Sequence, residues 1–460
     1  MKTYDVVIVG GGVSGTALLY TLAHYTNLTS VALVEKYPYV GSVNSHSSNN
    51  SQTLHVGDIE TNYSLEKVQQ VRPAAMMVAE FALQLPKEER DEVLFPTQKM
   101  VLGVGTSEVE ELRKRFEELK SMFPDLALLD REAIGKLEPA IVEGRDPRQE
   151  IIALQNNGFA VDYGMLARSL SMRATSLHPT RAELFLSSAV TGVRRTANGE
   201  WEVSRTSGAP LYAKVVVFDA DAYSLFFAKK LGYGKEFSLI PIAGTFYWSR
   251  PLLRGKVYTM QNHHLPFAAV HGDPDVRMPG RTRWGPTARF FPVLESRHPR
   301  TLFDYFAVSS LERPRTWRSF ARILLKPVRL VFFLKNLLYT VPFLGRALFA
   351  KEVQKIVPSV TASDFTRAKG FGGMRLQRVN TTTDELLLGE GKIVGDHIIF
   401  NMTPSPGASV CLYNAMRDAK TVVEFFGGTF HFDEARMEKE LYEAEPCPFT
   451  NPSQEDAYVS

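Results

Sequence analysis

Long apolar runs are missing from these 460 residues. No stretch reaches the roughly 18 uncharged apolar positions that a spanning helix needs, so no transmembrane segment is expected. Cysteine is almost missing as well. Cys411 and Cys447 are the only two, without paired-thiol or metal-ligand spacing. That argues for a reducing compartment and against a disulfide framework, a thiol redox centre or a metal site. There are no repeats and no low-complexity tracts. The apolar N-terminus is broken by glycines, with no basic region and cleavage site before it, and reads as a buried strand rather than a signal peptide. One segment is strongly basic: Arg313 to Lys351 holds nine Lys/Arg and no Asp or Glu. The whole chain carries a formal charge of only +3, so the remainder is mildly acidic and the basic segment needs its own explanation.

What is present looks ordinary for a folded protein, with 44% hydrophobic and 22% charged residues. The length calls for two or three structural units. "YDVVIV", Tyr4 to Val9, is a β-rich run without alternation, as expected for a strand covered on both faces. "GGGVSG", a helical run to about Tyr25 and the strand "SVALVEK" complete a βαβ unit at the start of a doubly wound sheet. Lys87 to Lys120 is charge-rich at helical spacing and reads as a solvated helical region. Leu184 to Val193, Trp201 to Ser204 and Val215 to Asp219 read as strands. "EFSLIPIAGTFYWS" and "PFAAVHGD" suggest a second, mixed or antiparallel sheet. Near the end, "HIIFNMTPSPGAS" reads as a strand and tight turn opening a long helix, and an acidic, peripheral tail follows Phe432.

Gly10, Gly12 and Gly15 form G-x-G-x-x-G between the first strand and helix. The first glycine permits the turn, the second lets backbone approach a pyrophosphate, and the third lets helix and strand pack closely. Phosphate then meets free N–H groups at the helix start. Glu35 closes the second strand, where a carboxylate suits a ribose diol and disfavours a 2′-phosphate. Together these point to a bound dinucleotide. A second G-x-G-x-x-G and any C-x-x-C are missing, which counts against a flavin disulfide reductase with two nucleotide sites. Gly407 in "TPSPGAS" could open a helix facing an isoalloxazine, though the same residues suit an ordinary Pro/Gly-punctuated helix start. The loop "NNSQTLHVGDIETNYS", Asn49 to Ser64, is too rich in amides and hydroxyls to bury itself. Asn50, Ser51, Gln52 and Thr53 suit the edges or phosphates of a flavin nucleotide, and Gly57 behind His55 permits close approach.

"VVIVGGGVSG", "NSQTLHVGDIETNYSLEK", "LLRGKVYTMQN", "LPFAAVHGDPD", "TRWGPTA", "GFGGMRLQ" and "FNMTPSPGAS" run from residue 6 to residue 409. With these the chain resembles the malate:quinone oxidoreductase family, in its shorter, epsilonproteobacterial-type branch, among the amino-acid-oxidase-like flavoproteins. The resemblance implies an α/β fold: a Rossmann-like, discontinuous FAD-binding domain plus an inserted mixed or antiparallel β-sheet substrate domain. The expected division gives 1–75, 151–235 and 366–430 to FAD, and 76–150, 236–296 and 352–365 to substrate. Residues 297–351 form a membrane-facing insertion and 431–460 a peripheral tail. The implied activity is oxidation of (S)-malate to oxaloacetate, a tricarboxylic acid cycle step, with electrons passed to quinone. Cofactor contacts are expected from Gly10, Gly12, Gly15, Glu35, Lys36, Asn50, Ser51, Gln52, Thr53, Val190, Ser405, Gly407 and Ala408.

Oxidising a 2-hydroxy acid at a flavin needs a base for the hydroxyl proton and a clamp for carboxylates, work suited to histidine and arginine. His271, at a strand end in "AAVHGDPD", is the expected base, with His55 the alternative. Arg375 matches the place where related flavoproteins hold a substrate anion, and Arg283 with Thr287 could take the second carboxylate. One departure stands out: "FDADAYS" puts Asp219 and Asp221 where relatives carry a small, glycine-containing turn near the pyrophosphate. They leave open a catalytically silent flavoprotein, beside the rival of another 2-hydroxy-acid or amino-acid oxidoreductase. The basic segment mixes cations with aliphatic and aromatic clusters, which suits an anionic membrane surface better than nucleic acid. An internal structural hairpin also remains open. A quinone acceptor would place the protein peripherally on the cytoplasmic side of the inner membrane.

Overall fold

Three sheets organise the chain in the computed structural model, which describes residues 2–178, 181–261, 269–339, 341, 343–404 and 406–442. β1 (Thr3–Val9), α1 (Val13–Tyr25) and β2 (Val31–Val34) come first. β1 lies parallel between β2 and the strand Leu211–Phe218, with Val6 opposite both Val31 and Val215. Its lack of alternation has a direct cause. Val6 and Ile8 enter the core on the α1 face, while Val7 and Val9 enter the core on the opposite face. α1 is apolar almost all round because it packs between the helices Tyr163–Leu177 and Cys411–Glu424.

The first sheet runs Gly391–Gly395, Ile398–Met402, Leu211–Phe218, β1, β2, Ala182–Phe185, and the hairpin Val190–Arg195/Trp201–Arg205 hangs from Leu211–Phe218. Its parallel centre is Rossmann-like and assembled from distant pieces of chain. The second sheet is mixed, in the order Thr366–Arg367, Tyr247–Ser249, Met278–Gly285, His271–Asp275, Lys256–Thr259, Leu94–Val104, Ile151–Val161, Ala127–Leu129. Lys256–Thr259 runs parallel to Leu94–Val104, and the other pairs are antiparallel. A third, antiparallel sheet of four strands has Arg289–Phe290, Phe237–Ala243, Met374–Asn380 and Glu385–Leu387.

Several expectations need correction. Lys87 to Lys120 is not one solvated helical region. The helices Lys87–Val93 and Thr106–Leu119 carry most of the charge, and between them Leu94–Val104 is a central strand. Its one cation, Lys99, is fully buried and neutralised by Asp58 at 2.8 Å, so charge counting missed a core strand. Residues 151–161, assigned with the nucleotide unit, pair along their whole length with Leu94–Val104 in the second sheet. Met374–Asn380 likewise pairs with Phe237–Ala243 in the third. "EFSLIPIAGTFYWS" is split, Phe237–Ala243 joining the third sheet and Tyr247–Ser249 the second. Of "PFAAVHGD", residues 266–268 lie outside the described residues, and a strand begins at His271.

The basic segment forms three helices, Pro314–Leu324, Pro327–Leu338 and Leu344–Val353. Pro314 and Pro327 stand at helix starts, where a missing N–H costs nothing; Pro342 lies outside the described residues. Arg318 and Arg322 face Asp384, and Lys335 pairs with Glu352 at 2.5 Å. Arg315, Lys326, Arg346 and Lys351 have no acidic partner among the described residues. Among those residues no helix is long and apolar enough to cross a membrane.

Candidate active site

The turn after β1 can be built only from glycine at two points. Gly10 has φ = 117°, and a Cβ there would overlap the carbonyl of Asp219. A Cβ on Gly15 would overlap the carbonyl oxygen of Gly10, so this residue sets the spacing of helix and strand. Gly12 differs: its Cβ would meet nothing nearer than Ser45 Oγ at 3.4 Å. The chain's own packing leaves that space free, directly above a helix start where Gly12 has no side chain to cap it and Ser45 Oγ meets the first N–H, that of Val13. Open N–H groups plus the helix dipole there fit a phosphate. Glu35 accepts from the Gly11 N–H at 2.6 Å and the Tyr37 N–H at 2.9 Å, and burial raises its pKa. A glycine cradle, a helix start without a capping side chain at Gly12 and a carboxylate at the end of β2 fit the FAD dinucleotide.

These groups open onto a cavity of about 410 Å³. Gly10, Gly12, Glu35, Lys36, Asn50, Ser51, Thr53, Val190 and Ala408 of the expected cofactor set line it. Lys36 is held there by an ion pair with Glu295 and stands 4.4 Å from the Tyr223 ring centre. Asn50 lines the wall but spends its amide on the loop, donating to the carbonyls of Asn44, Ser45 and His46. Gln52 does not face the cavity. At φ = 54° it turns away, donating at 3.1 Å to Ser47 O and to Asp275 Oδ2. Gly407 is not a helix start: it packs on Thr403 within a turn, and the helix begins at Cys411. Ser405 lies outside the described residues.

The two histidines part company. His271 is 1% exposed, stacked on Tyr258 with ring centres 4.4 Å apart, and does not line the cavity. Burial drives its pKa down to about 3, so the ring is neutral, and its Nε2 has no hydrogen-bond partner among the described residues. A strand-end position suggested access; the packing of the second sheet removes it. His55 does line the cavity. Its Nδ1 lies 2.5 Å from Glu60 Oε1, and its Nε2 has only the distant Ser51 Oγ at 3.5 Å. Glu60 also accepts from the Gly57 N–H at 2.8 Å. Burial opposes Glu60 ionisation, but the His55 hydrogen bond and charge outweigh it and lower the carboxyl pKa.

The arginines divide the same way. Arg283 is fully buried between Asp273 and Asp275, at 2.8 and 3.0 Å, in a cluster with Lys256. It is already neutralised and away from the cavity, so it does not form the expected clamp. Arg375, on the third sheet opposite Ile242, lines the cavity and has neither a carboxylate nor a hydrogen-bond partner among the described residues. Thr287 lines it too, its Oγ1 2.6 Å from that of Thr245. Asp219 and Asp221 face the cavity, each bonded to an amide: Asn401 at 3.0 Å and Asn44 at 2.7 Å. Burial, with Asp418 nearby, raises Asp219 to about 7, and burial raises Asp221 to about 6. Asp219 is therefore substantially protonated near pH 7 and carries less of the negative charge that had made it awkward beside a pyrophosphate, while Asp221 keeps its charge on the Asn44 amide.

Sequence reasoning missed Glu60, Ser45 and Ser409. Ser45 Oγ takes the Val13 N–H at 2.9 Å, and Ser409 Oγ takes the His55 N–H at 3.0 Å. Glu60, five residues after His55, was visible within the polar loop as a possible partner. The loop is also tied to the second sheet. Thr53 Oγ1 is 2.6 Å from Tyr258 OH, Thr53 bridges Ala160, and Asp58 takes both Lys99 and Asn156.

A family model described as FAD dependent oxidoreductase matches residues 5–383. A "Probable malate:quinone oxidoreductase" of Campylobacter jejuni is 40% identical over 449 residues, covering 95% of this chain and 99% of its own. A "Malate:quinone oxidoreductase" of Helicobacter pylori is 39% identical over 446 residues, covering 95% and 98%. Among solved structures, the FAD-bound L-α-glycerophosphate oxidase of Mycoplasma pneumoniae superposes with a TM-score of 0.61 at 19% identity. It covers 92% of this chain and 95% of its own, a likeness of fold. This chain belongs to the malate:quinone oxidoreductase family of FAD-dependent oxidoreductases.

Proposed function

We propose that this protein oxidises (S)-malate to oxaloacetate and delivers the electrons to a membrane quinone. One observation supports the reading above the others: His55, bonded from behind to Glu60, and Arg375, unpaired among the described residues, line the same cavity as the glycine cradle. FAD, when bound, supplies the acceptor for the hydride leaving C2 of malate. His55 takes the hydroxyl proton at Nε2, the nitrogen left free by Glu60, which fixes the tautomer and stabilises the imidazolium. Arg375 holds a carboxylate by a forked, charge-assisted contact, and the Thr245/Thr287 hydroxyl pair offers donors for the other. Malate thus loses two electrons and two protons, and a quinone that gains both leaves as quinol.

The helices Pro314–Leu324, Pro327–Leu338 and Leu344–Val353 support contact with an anionic membrane surface. Leu325, Val331, Leu337 and Phe343 are each at least 60% exposed beside the unpaired cations or just ahead of them, apolar surface that water does not favour. With a quinone acceptor, this gives a peripheral protein on the cytoplasmic side of the inner membrane. Asp219 and Asp221 no longer favour a silent flavoprotein, since the raised pKa of Asp219 reduces its repulsion of a nucleotide and Asp221 is engaged by the Asn44 amide. Anaerobic titration of the FAD-loaded protein with malate, L-2-hydroxyglutarate and amino acids tests the reading. Malate should bleach the flavin, and a added quinone should restore it. Bleaching by an amino acid alone, or by hydroxyglutarate alone, would sink the malate assignment.

A further inference from the structure

We infer that the lipophilic acceptor reaches the cavity through its Ile242–Ala288 wall, beneath the helix Pro327–Leu338. This rests on the quinone reading above and adds a site to it. Ile242 and Ala288 have two memberships. They line the cavity, and with Phe320, Ile323 and Val379 they form a small apolar cluster separate from the main cores. Phe332 and Phe333 of the helix pack onto that cluster. The helix is fastened at the same point: the Ala288 N–H donates to Asn336 Oδ1 at 2.6 Å, and Asn336 is its one fully buried residue among those described.

Helical spacing makes the layering clear. Arg329, Phe332, Phe333 and Asn336 share the inward face. Val331 and Leu334 on the outward face are 64% and 54% exposed. From outside inward the order is exposed aliphatic side chains, two phenylalanines, Ile242 with Ala288, then the cavity. Only one residue layer separates the helix from the site. Other apolar lining residues belong elsewhere, Phe227, Leu294, Met374 and Leu376 to a main core and Phe246 to a cluster with Trp248; Ile242 and Ala288 join the cluster that this helix covers. A quinone has a flat ring with two carbonyl acceptors on a greasy tail. The apolar path takes ring and tail, and Thr287 at its inner end can donate to a carbonyl once the oxidised acid has left. The helix, fastened at Asn336 and exposed on its outer face, is placed to receive that tail directly from a bilayer. The quinone takes up two electrons and two protons there and departs as quinol, the electrons being those that malate has left on the flavin.

Photolabelling tests the route on the unaltered protein. FAD-loaded protein on vesicles of phosphatidylcholine and phosphatidylglycerol is irradiated with a short-tail azidoquinone, and labelled peptides are mapped. Label within 327–338, or at the strands bearing Ile242 and Ala288, is expected, and excess unlabelled quinone should suppress it. Label confined to other regions overturns the route. Phe332→Trp, which fills the space beneath the helix, provides a kinetic arm. It should raise the quinone KM by about tenfold, close to 1.4 kcal/mol, while bleaching by malate and reoxidation by ferricyanide change less than about twofold. An unaltered quinone KM, or equal losses in all three, counts against the proposal. Reduction with dithionite in place of malate keeps the quinone arm readable even if malate proves not to be the substrate.

Discussion

Replacing His55 by glutamine should slow anaerobic bleaching by malate by about 10²–10⁴-fold while FAD stays bound, as expected for loss of a general base. Glu60→Gln should give a smaller loss, because the imidazole remains but loses the partner that orients it. His271→Gln should stay within a few-fold of the parent, since that ring is sealed into the second sheet. Stopped-flow absorbance of the flavin separates the three variants. His271 binds its proton more weakly folded than unfolded, so its contribution to stability is held above about pH 6.5 and lost as pH falls toward 3. Asp219 has the opposite sign. Its folded pKa of about 7 means its contribution is present below about pH 4 and lost as pH rises through 7. Ionised Asp219 also opposes a pyrophosphate, so FAD affinity should weaken between pH 6 and 8. Asp219→Asn should flatten that profile, measured by quenching of flavin fluorescence. The glycines and Glu35 were legible because spacing states their job. The choice between His55 and His271, or Arg375 and Arg283, was not. It depends on which side of a sheet each side chain meets and on acids such as Asp273 that lie nearby only after folding.

Two glycines in one turn should fail in different ways. Gly15→Ala puts a methyl group onto the Gly10 carbonyl and should disrupt α1 against β1, with loss of soluble folded protein. Gly12→Ala has room in the chain itself, so far-UV circular dichroism should stay native while FAD is lost. Among the basic helices, Val331→Ser with Leu334→Ser should weaken binding to anionic vesicles by roughly 1–2 kcal/mol per residue, given ~25 cal/mol per Å² of apolar surface. Replacing Arg315, Lys326 and Arg346 by glutamine should reduce the salt sensitivity of binding instead. Sedimentation with vesicles at two ionic strengths reads both effects; unchanged binding in both sets would refute the interfacial assignment. Element type was legible where one pattern ruled, as in β1, α1 and the proline-led helices. It failed at Leu94–Val104, because two charged helices flank a strand whose only cation is satisfied from another loop.

At the scale of the whole molecule, the fold class was legible from the first forty residues and the resemblance, whereas the membership of each sheet was not. Ile151–Val161 could join Leu94–Val104 or the nucleotide sheet on sequence alone, and non-local pairing decides. The loop from Asn49 to Glu60 ties cavity to second sheet through Thr53, Asp58 and Gln52. FAD should therefore protect both regions together. One calorimetric transition is expected, rising with added FAD according to RT ln(1 + [L]/Kd). Two separable transitions, with only one responding to FAD, would contradict this coupling. The cavity also has a temporal consequence. Its lining begins at Val9 and closes at Ser409, with Leu211–Phe218 set beside β1. A chain emerging from the ribosome makes its glycine cradle early and cannot enclose the nucleotide until Ser409 has been added. Cofactor loading is therefore a late event in the life of each molecule, and until then the apolar walls of the site depend on the cell's chaperones for protection.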